Sequence, residues 1–231
     1  MVTMIRGILF DLWNSLAHDP GKPNPIQVMG ASLGLLGQRG WKRRLERGMM
    51  LSPASGIEAG LRQLEVREGL FLPEGEGRAA VLRAWQQSSR QARLFPDVLP
   101  VLNRLHKRFR IGLCSNTQSF GLEFLERAGL WQFLDASAFS FEVGALKPRP
   151  EIFHSVLRRL NLAPETVLMV GDSCHDDVQG ARALGMWAVR LARPANGSTP
   201  AETEHSDHTQ DFPIRGLDEL PQRVDLINQS V

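Results

Sequence analysis

Short apolar runs recur along this chain, each ending in a polar residue and followed by a stretch with helical spacing. That alternation is what most constrains the fold. Ile8-Leu9-Phe10 leads to Asp11, Ile111-Gly112-Leu113-Cys114 to Ser115-Asn116, residues 167–170 to Gly171-Asp172, and residues 187–191 end the series. Between these strand-length runs, Val98, Val101, Leu102 and Leu105 repeat at helical intervals, as do Leu122 and Leu125, then Ile152, Phe153, Val156, Leu157 and Leu160, then residues 178–184. Gly129 and Gly185 stand where helices are expected to stop. Strands alternating with helices predict βαβ units: an α/β fold with a Rossmann-like parallel sheet and helices on both faces.

Residues 17–93 break this alternation. Leu33, Leu35, Leu36, Ile57, Leu61, Leu64, Val81, Leu82 and Trp85 fit helical spacing, with Gly and Pro breaks between groups. The expected organisation is an α/β core domain from residues 1–16 and 94–231, with residues 17–93 forming a helical cap domain. An insertion after the first strand of an open sheet lands above the edge where such folds bind ligands. The segment is basic, with 12 Lys and Arg against 7 Asp and Glu, while the whole chain carries only +2. A basic cap favours small anionic substrates. Within it, "GWKRRLERG" reads as a solvated helix face, and sparse aromatic interleaving argues against nucleic acid.

Residues 192–211 read as a polar surface loop in which the His205 and His208 spacing lacks a third metal ligand, before a last strand at 212–214 and a closing helix. No apolar run reaches the ~20 residues needed to cross a bilayer, and the N-terminus enters a strand pattern without a signal-peptide layout. Two cysteines, Cys114 and Cys174, make no disulfide framework. A cytoplasmic monomer or homodimer, without membrane or nucleic-acid partners, is the expectation.

In a parallel sheet the strand ends converge on one edge. Four stations then meet there: Asp11 with Ser15; Ser115-Asn116; Lys147 in "GALKPRP"; and Asp172, Asp176 and Asp177 in "GDSCHDD". A carboxylate nucleophile, hydroxyl and amide donors for phosphate oxygens, a lysine counter-charge and an acid cluster suit phosphoryl transfer. All-oxygen ligands point to Mg²⁺ rather than zinc. Singly, each station reads equally well as a turn, a helix cap or a solvated side chain; their order and spacing make them a site.

These four segments resemble the motifs of the haloacid dehalogenase-like hydrolase superfamily, almost from end to end of the chain. Asp11-Leu12-Trp13-Asn14-Ser15 is similar to its D-x-D-x-[TV] motif, Ser115 to the Ser or Thr of its second, Lys147 to the lysine of its third, and "GDSCHDDVQGA" to its fourth. The resemblance implies an aspartyl-phosphate on Asp11, a helical cap of the C1 type, and Mg²⁺ held by Asp11, the Trp13 carbonyl, Asp172 and either Asp177 or Asp176. Ser15, Asn116 and Trp13 would then face substrate.

Trp13 departs from the pattern. The family's phosphatases carry a second acid there, which protonates the leaving oxygen and later activates water. Its loss costs typically ~10²–10⁴-fold, most for alkoxide leaving groups and least for carboxylates or nitrophenolates. The expectation is therefore a Mg²⁺-dependent phosphatase that is slow or restricted to good leaving groups. Two alternatives remain: a metal-free 2-haloacid dehalogenase using Asp11, against which Asp172 stands, and a catalytically silent binding protein of the same fold.

Overall fold

The computed structural model describes residues 4–194 and 213–229. Five strands form one fully parallel sheet: β1 (Gly7–Phe10), β4 (Arg110–Ser115), β5 (Ala136–Phe139), β6 (Val167–Gly171) and β7 (Trp187–Arg190), in the spatial order β5-β4-β1-β6-β7. The first strand is thus central. Chain order runs outward from it on both sides, so the crevice where the direction of winding reverses lies at the carboxyl end of β1, beside Asp11.

Alternation along each strand assigns side chains to two faces. Ile8 and Phe10 pack with Ile111, Leu113, Leu168 and Val170 on one, against α5 (Val98–Leu105) and α10 (Leu220–Gln229). Leu9 packs with Cys114, Met169, Val156 and Leu157 on the other, against α8 (Pro150–Leu160). The inner runs Ile8–Phe10, 111–114 and 167–170 are apolar at every position because both faces are covered, whereas the edge strands β5 and β7 carry Ser137 and Arg190. The sheet is the α/β core that the alternation predicts.

Four helices lie between β1 and α5: α1 (Pro25–Ser32), α2 (Trp41–Met49), α3 (Ile57–Glu68) and α4 (Glu76–Gln91). They bury their own cluster, including Met29, Leu45, Met49, Leu61, Leu64, Val81 and Trp85. The chain leaves and re-enters the sheet unit through two-residue strands, β2 (Ala17–His18) and β3 (Arg93–Leu94), which pair antiparallel. Such short strands carry no readable period, which is why the sequence does not mark them. Residues of the sheet unit reach into the helical cluster: Leu146 joins it, and Phe120 meets Trp85 edge-on at 5.3 Å. The Ala54 N–H donates to Ser119 Oγ (2.7 Å), whose hydroxyl donates back to the Ala54 carbonyl (2.8 Å).

Two local expectations change. α6 (Glu123–Arg127) is only five residues long, stopped at Gly129 in the left-handed region. The helix expected from Val178 starts earlier, as a π-helical turn over Cys174–Gln179 that passes into α9 (Gly180–Arg182). In that widened turn Val178 N–H reaches back to Ser173. Of the expected polar loop, residues 195–211 lie outside the described residues, as do His205, His208 and Phe212; Ile214 forms a parallel bridge with Leu191.

Candidate active site

The carboxyl ends of β1, β4 and β6 bring the four stations together. Asp11 follows β1 and its N–H donates to the Val170 carbonyl (2.9 Å), which fixes where the side chain starts. Lys147 arrives from the loop after α7 (Ser140–Val143) and is 2% exposed. Its ammonium donates to Asp11 Oδ1 (2.6 Å), Asp177 Oδ1 (2.5 Å) and the Cys114 carbonyl (2.9 Å). All three of its N–H groups are used, so the lysine holds Asp11 in place rather than presenting a free donor.

Asp177 is equally committed: Oδ1 takes Lys147 and Oδ2 accepts the Ser173 N–H (3.0 Å). A side chain on Gly171 would occupy the space of this carboxylate, so glycine there is what lets Asp177 reach inward. Asp172 receives the Asn14 side chain, and Asn14 sits in the left-handed region (φ 61°), which Asn tolerates better than most residues. Asp11, Asp172 and Asp177 offer carboxylate oxygens within 4.8 Å of one another.

Crowding shows in their acidities. Burial, above all, pushes the Asp11 carboxyl up to about 7, with Asp177 and Asp172 adding to the rise and Lys147 opposing it. Asp172 is pushed up to about 6 by burial and then by Asp177. Lys147 is held well above the usual lysine range by its two carboxylates, which outweigh burial. Burial drives the Cys114 thiol up to about 12, so it stays protonated and unreactive.

Two buried hydroxyls at the carboxyl edge of the sheet, Ser15 Oγ in the turn after β1 and Ser115 Oγ at the end of β4, have no hydrogen-bond partner among the described residues. Leaving a buried polar group unpaired costs roughly 1–3 kcal/mol. Each hydroxyl can donate to an oxygen ligand at that edge. Ser15 is held from outside by Arg193, whose Nε–H donates to its carbonyl (2.8 Å) while the guanidinium grips Asp97 with two bonds and lies 3.9 Å over the Phe95 ring.

Asn116 and Asp176 are placed otherwise than the sequence suggests. The Asn116 carboxamide accepts the Lys147 N–H (2.7 Å) and donates to the Lys147 carbonyl (3.3 Å), so it clamps the lysine loop. Asp176 stays out of the acid cluster because the π-turn sends its two acids in different directions. It pairs with Arg43 of α2 (2.5 Å). Arg43 also donates to the Lys147 carbonyl (3.1 Å) and pairs with Glu46 (2.9 Å). The face of α2 read as solvated is therefore divided: Leu45 is buried in the helical cluster, Arg43 and Glu46 turn to the sheet unit, and Arg44 and Arg47 pair with Glu68. Burial raises the Glu46 carboxyl above its ordinary range, with Arg43 opposing and Asp176 adding. Amphipathic spacing marks the buried Leu45, but nothing in the sequence tells a charged residue facing water from one facing another part of the chain.

Trp13 is fixed by its edge and its face. Its indole N–H donates to Thr117 Oγ (3.0 Å), a fully buried hydroxyl, and its ring packs on Phe124 at 5.8 Å. The Trp13 carbonyl accepts no hydrogen bond from the described residues.

An oxygen-only acid cluster at the central crevice of a parallel sheet, with a lysine and unpartnered hydroxyls beside it, defines the hydrolases of the haloacid dehalogenase-like class. A family model for the haloacid dehalogenase-like hydrolases matches residues 5–185, and the chain belongs to that family. It is 35% identical over 122 residues to a glyceraldehyde 3-phosphate phosphatase of Methanopyrus kandleri, a match taking in 52% of each chain, so it spans about half of that relative. It is 30% identical to a ribulose-1,5-bisphosphate 5-phosphatase of Halopiger xanaduensis over 72% of this chain and 70% of that one. The L-2-haloacid dehalogenase of Xanthobacter autotrophicus superposes with a TM-score of 0.63 over 96% of this chain and 99% of its own, at 21% identity. That likeness shows the shared fold alone.

Proposed function

We propose that this hydrolase is a Mg²⁺-dependent phosphatase acting on a small phosphorylated metabolite, confined to phosphate esters and anhydrides with good leaving groups. The observation that carries the reading is a pair of buried hydroxyls, Ser15 and Ser115, with no partner among the described residues, at the same sheet edge as a carboxylate cluster: donors for an anion and ligands for a cation. The similarity to relatives named as phosphatases supports it.

Asp11 is the nucleophile. One of its oxygens attacks phosphorus, the bond from phosphorus to the leaving oxygen breaks, and the electron pair departs with that oxygen. Water then cleaves the aspartyl-phosphate, releasing phosphate and the free carboxylate. Ser15 and Ser115 donate to the non-bridging oxygens, and Lys147 orients Asp11. The donors fit Mg²⁺, being oxygen only: Asp11, Asp172 and the Trp13 carbonyl would hold the ion, while Asp177 serves Lys147. Bound there, the ion offsets charge on the transferring phosphoryl group and on the crowded acids. Residues 17–93 serve as the cap, latched through Arg43 and Asp176. The two free thiols fit a reducing compartment, the cytoplasm.

A second reading, 2-haloacid dehalogenase, rests on the aromatic residue at Trp13, since halide departure needs no acid. Asp172 counts against it, because without a cation this carboxylate would repel both Asp11 and an anionic substrate. The deciding experiment incubates the protein with p-nitrophenyl phosphate and with 2-chloropropionate, each in Mg²⁺ or EDTA. Phosphate release in Mg²⁺ that falls to background in EDTA is expected, with no chloride release. Chloride release that persists in EDTA establishes the dehalogenase instead, and silence on both substrates overturns the assignment of Asp11 as a working nucleophile.

A further inference from the structure

A cavity of about 690 Å³ opens where the chain crosses between the sheet unit and the four inserted helices. Its wall is drawn from three places. Pro20 follows β2 on the outward crossing; Arg90, near the end of α4, and Arg93 and Leu94 of β3 form the return; Phe124 and Arg127 belong to α6. The volume falls within the range of small-ligand pockets.

The charge of this wall is one-sided. Arg90, Arg93 and Arg127 line it and, among the described residues, no acidic residue does. None of the three guanidinium groups has a hydrogen-bond or carboxylate partner among the described residues, although Arg43, Arg44, Arg47 and Arg78 in the same basic segment are all ion-paired. Guanidinium groups match phosphate and carboxylate in geometry as well as charge. Leu94 and Phe124 give the cavity an apolar side.

We propose that this cavity is a second binding site, separate from the carboxylate cluster, for a small polyanion bearing two or more phosphate or carboxylate groups. Three cations from three elements cannot all be met by one compact monoanion, whereas a ligand with two anionic ends can bridge them. Because Arg90 belongs to the helical insert and Arg127 to the sheet unit, the bound polyanion ties the two together across their linkers. Phe124, which also packs on Trp13, connects the cavity to the wall of the active site. A ligand that binds one disposition of the two units better than another shifts the balance between them, and the effect is reciprocal.

Inorganic pyrophosphate is the probe, titrated calorimetrically into the full chain in EDTA and 0.15 M salt, with hydrogen–deuterium exchange read on the same mixtures. Wild type is expected to bind it, and the exposed, unpartnered triple variant Arg90→Gln/Arg93→Gln/Arg127→Gln to bind about tenfold or more weakly at an unchanged Tm. Protection is expected at backbone amides of residues 90–94 and 124–128 in wild type only. Equal affinity in the triple variant, no binding by wild type up to about 10 mM, or protection confined to residues 115–117 and 171–177 would each overturn the proposal. The last result would place pyrophosphate in the catalytic cleft. None of these readouts depends on the enzyme's reaction.

Discussion

Asp11→Asn is expected to abolish phosphate release, by about 10⁴-fold or more, and yet to raise the Tm of the metal-free protein at pH 8. Removing the nucleophile removes the covalent route altogether, so the loss is on the scale seen when other catalytic nucleophiles are deleted. The gain in stability comes from the raised pKa. A carboxyl held at about 7 in the folded state and near 3.8 when unfolded binds its proton more tightly when folded. The stability it contributes is therefore full below about pH 4 and is lost as pH rises through 7. Asn carries no charge, keeps an oxygen for Lys147 and escapes that loss. At ~1.4 kcal/mol per pKa unit the difference at pH 8 is on the order of a few kcal/mol, and it vanishes near pH 4. Thermal melts in EDTA from pH 4 to 8 check it; a variant melting below wild type at pH 8 would show that the acid is not strained by burial.

Lys147→Met should produce the largest loss of stability of any single change at the site. The side chain is of similar length and apolar, so packing is nearly kept, but Asp11 and Asp177 lose their shared cation inside the protein. Breaking a buried pair by removing one partner costs roughly 3–5 kcal/mol, a large share of a typical folding free energy. Removing the lysine also takes away the two influences that lower the Asp11 pKa, so that pKa rises further. An acid raised in the folded state loses its contribution as pH increases, so urea denaturation should show a wider gap from wild type at pH 8 than at pH 5. An equal gap at both values would mean that the lysine stabilises by packing alone.

The inner strands of the sheet are legible in the sequence because a parallel strand covered on both faces has to be apolar throughout; the edge strand β5, with Ser137 and two alanines, is not. Ile8-Leu9-Phe10 and residues 167–170 leave little other reading, and each run ends on its chemistry. Asp11, Ser115 and Asp172 could be named from that punctuation, since the topology of a parallel sheet carries strand ends to one edge; Lys147 arrives from the loop after α7 and is marked only by its motif. What the sequence withholds depends on contacts between distant segments. Asp176 and Asp177 are adjacent and chemically identical; only the π-turn sends one to Lys147 and the other to Arg43. Asn116 reads as a substrate donor until the Lys147 backbone claims both ends of its carboxamide. Arg43 and Glu46 sit in a run of charges with no mark separating them from Arg44 and Arg47, which pair with the neighbouring helix. Thr117, which fixes the Trp13 indole, is an ordinary loop residue 104 positions away.

Trp13 is the point on which the proposed chemistry turns. Held by Thr117 and Phe124, it supplies no acid to assist departure in the proposed reaction, so reactivity should follow the leaving group. The direct measurement is kcat/KM for acetyl phosphate and for glycerol 1-phosphate in Mg²⁺, in wild type and in Trp13→Asp. Wild type should turn over acetyl phosphate and leave the alkyl ester nearly untouched, and Trp13→Asp should narrow the ratio of the two by ~10²–10⁴-fold. Rapid hydrolysis of glycerol 1-phosphate by wild type, with no change in the ratio on restoring the acid, would contradict the account.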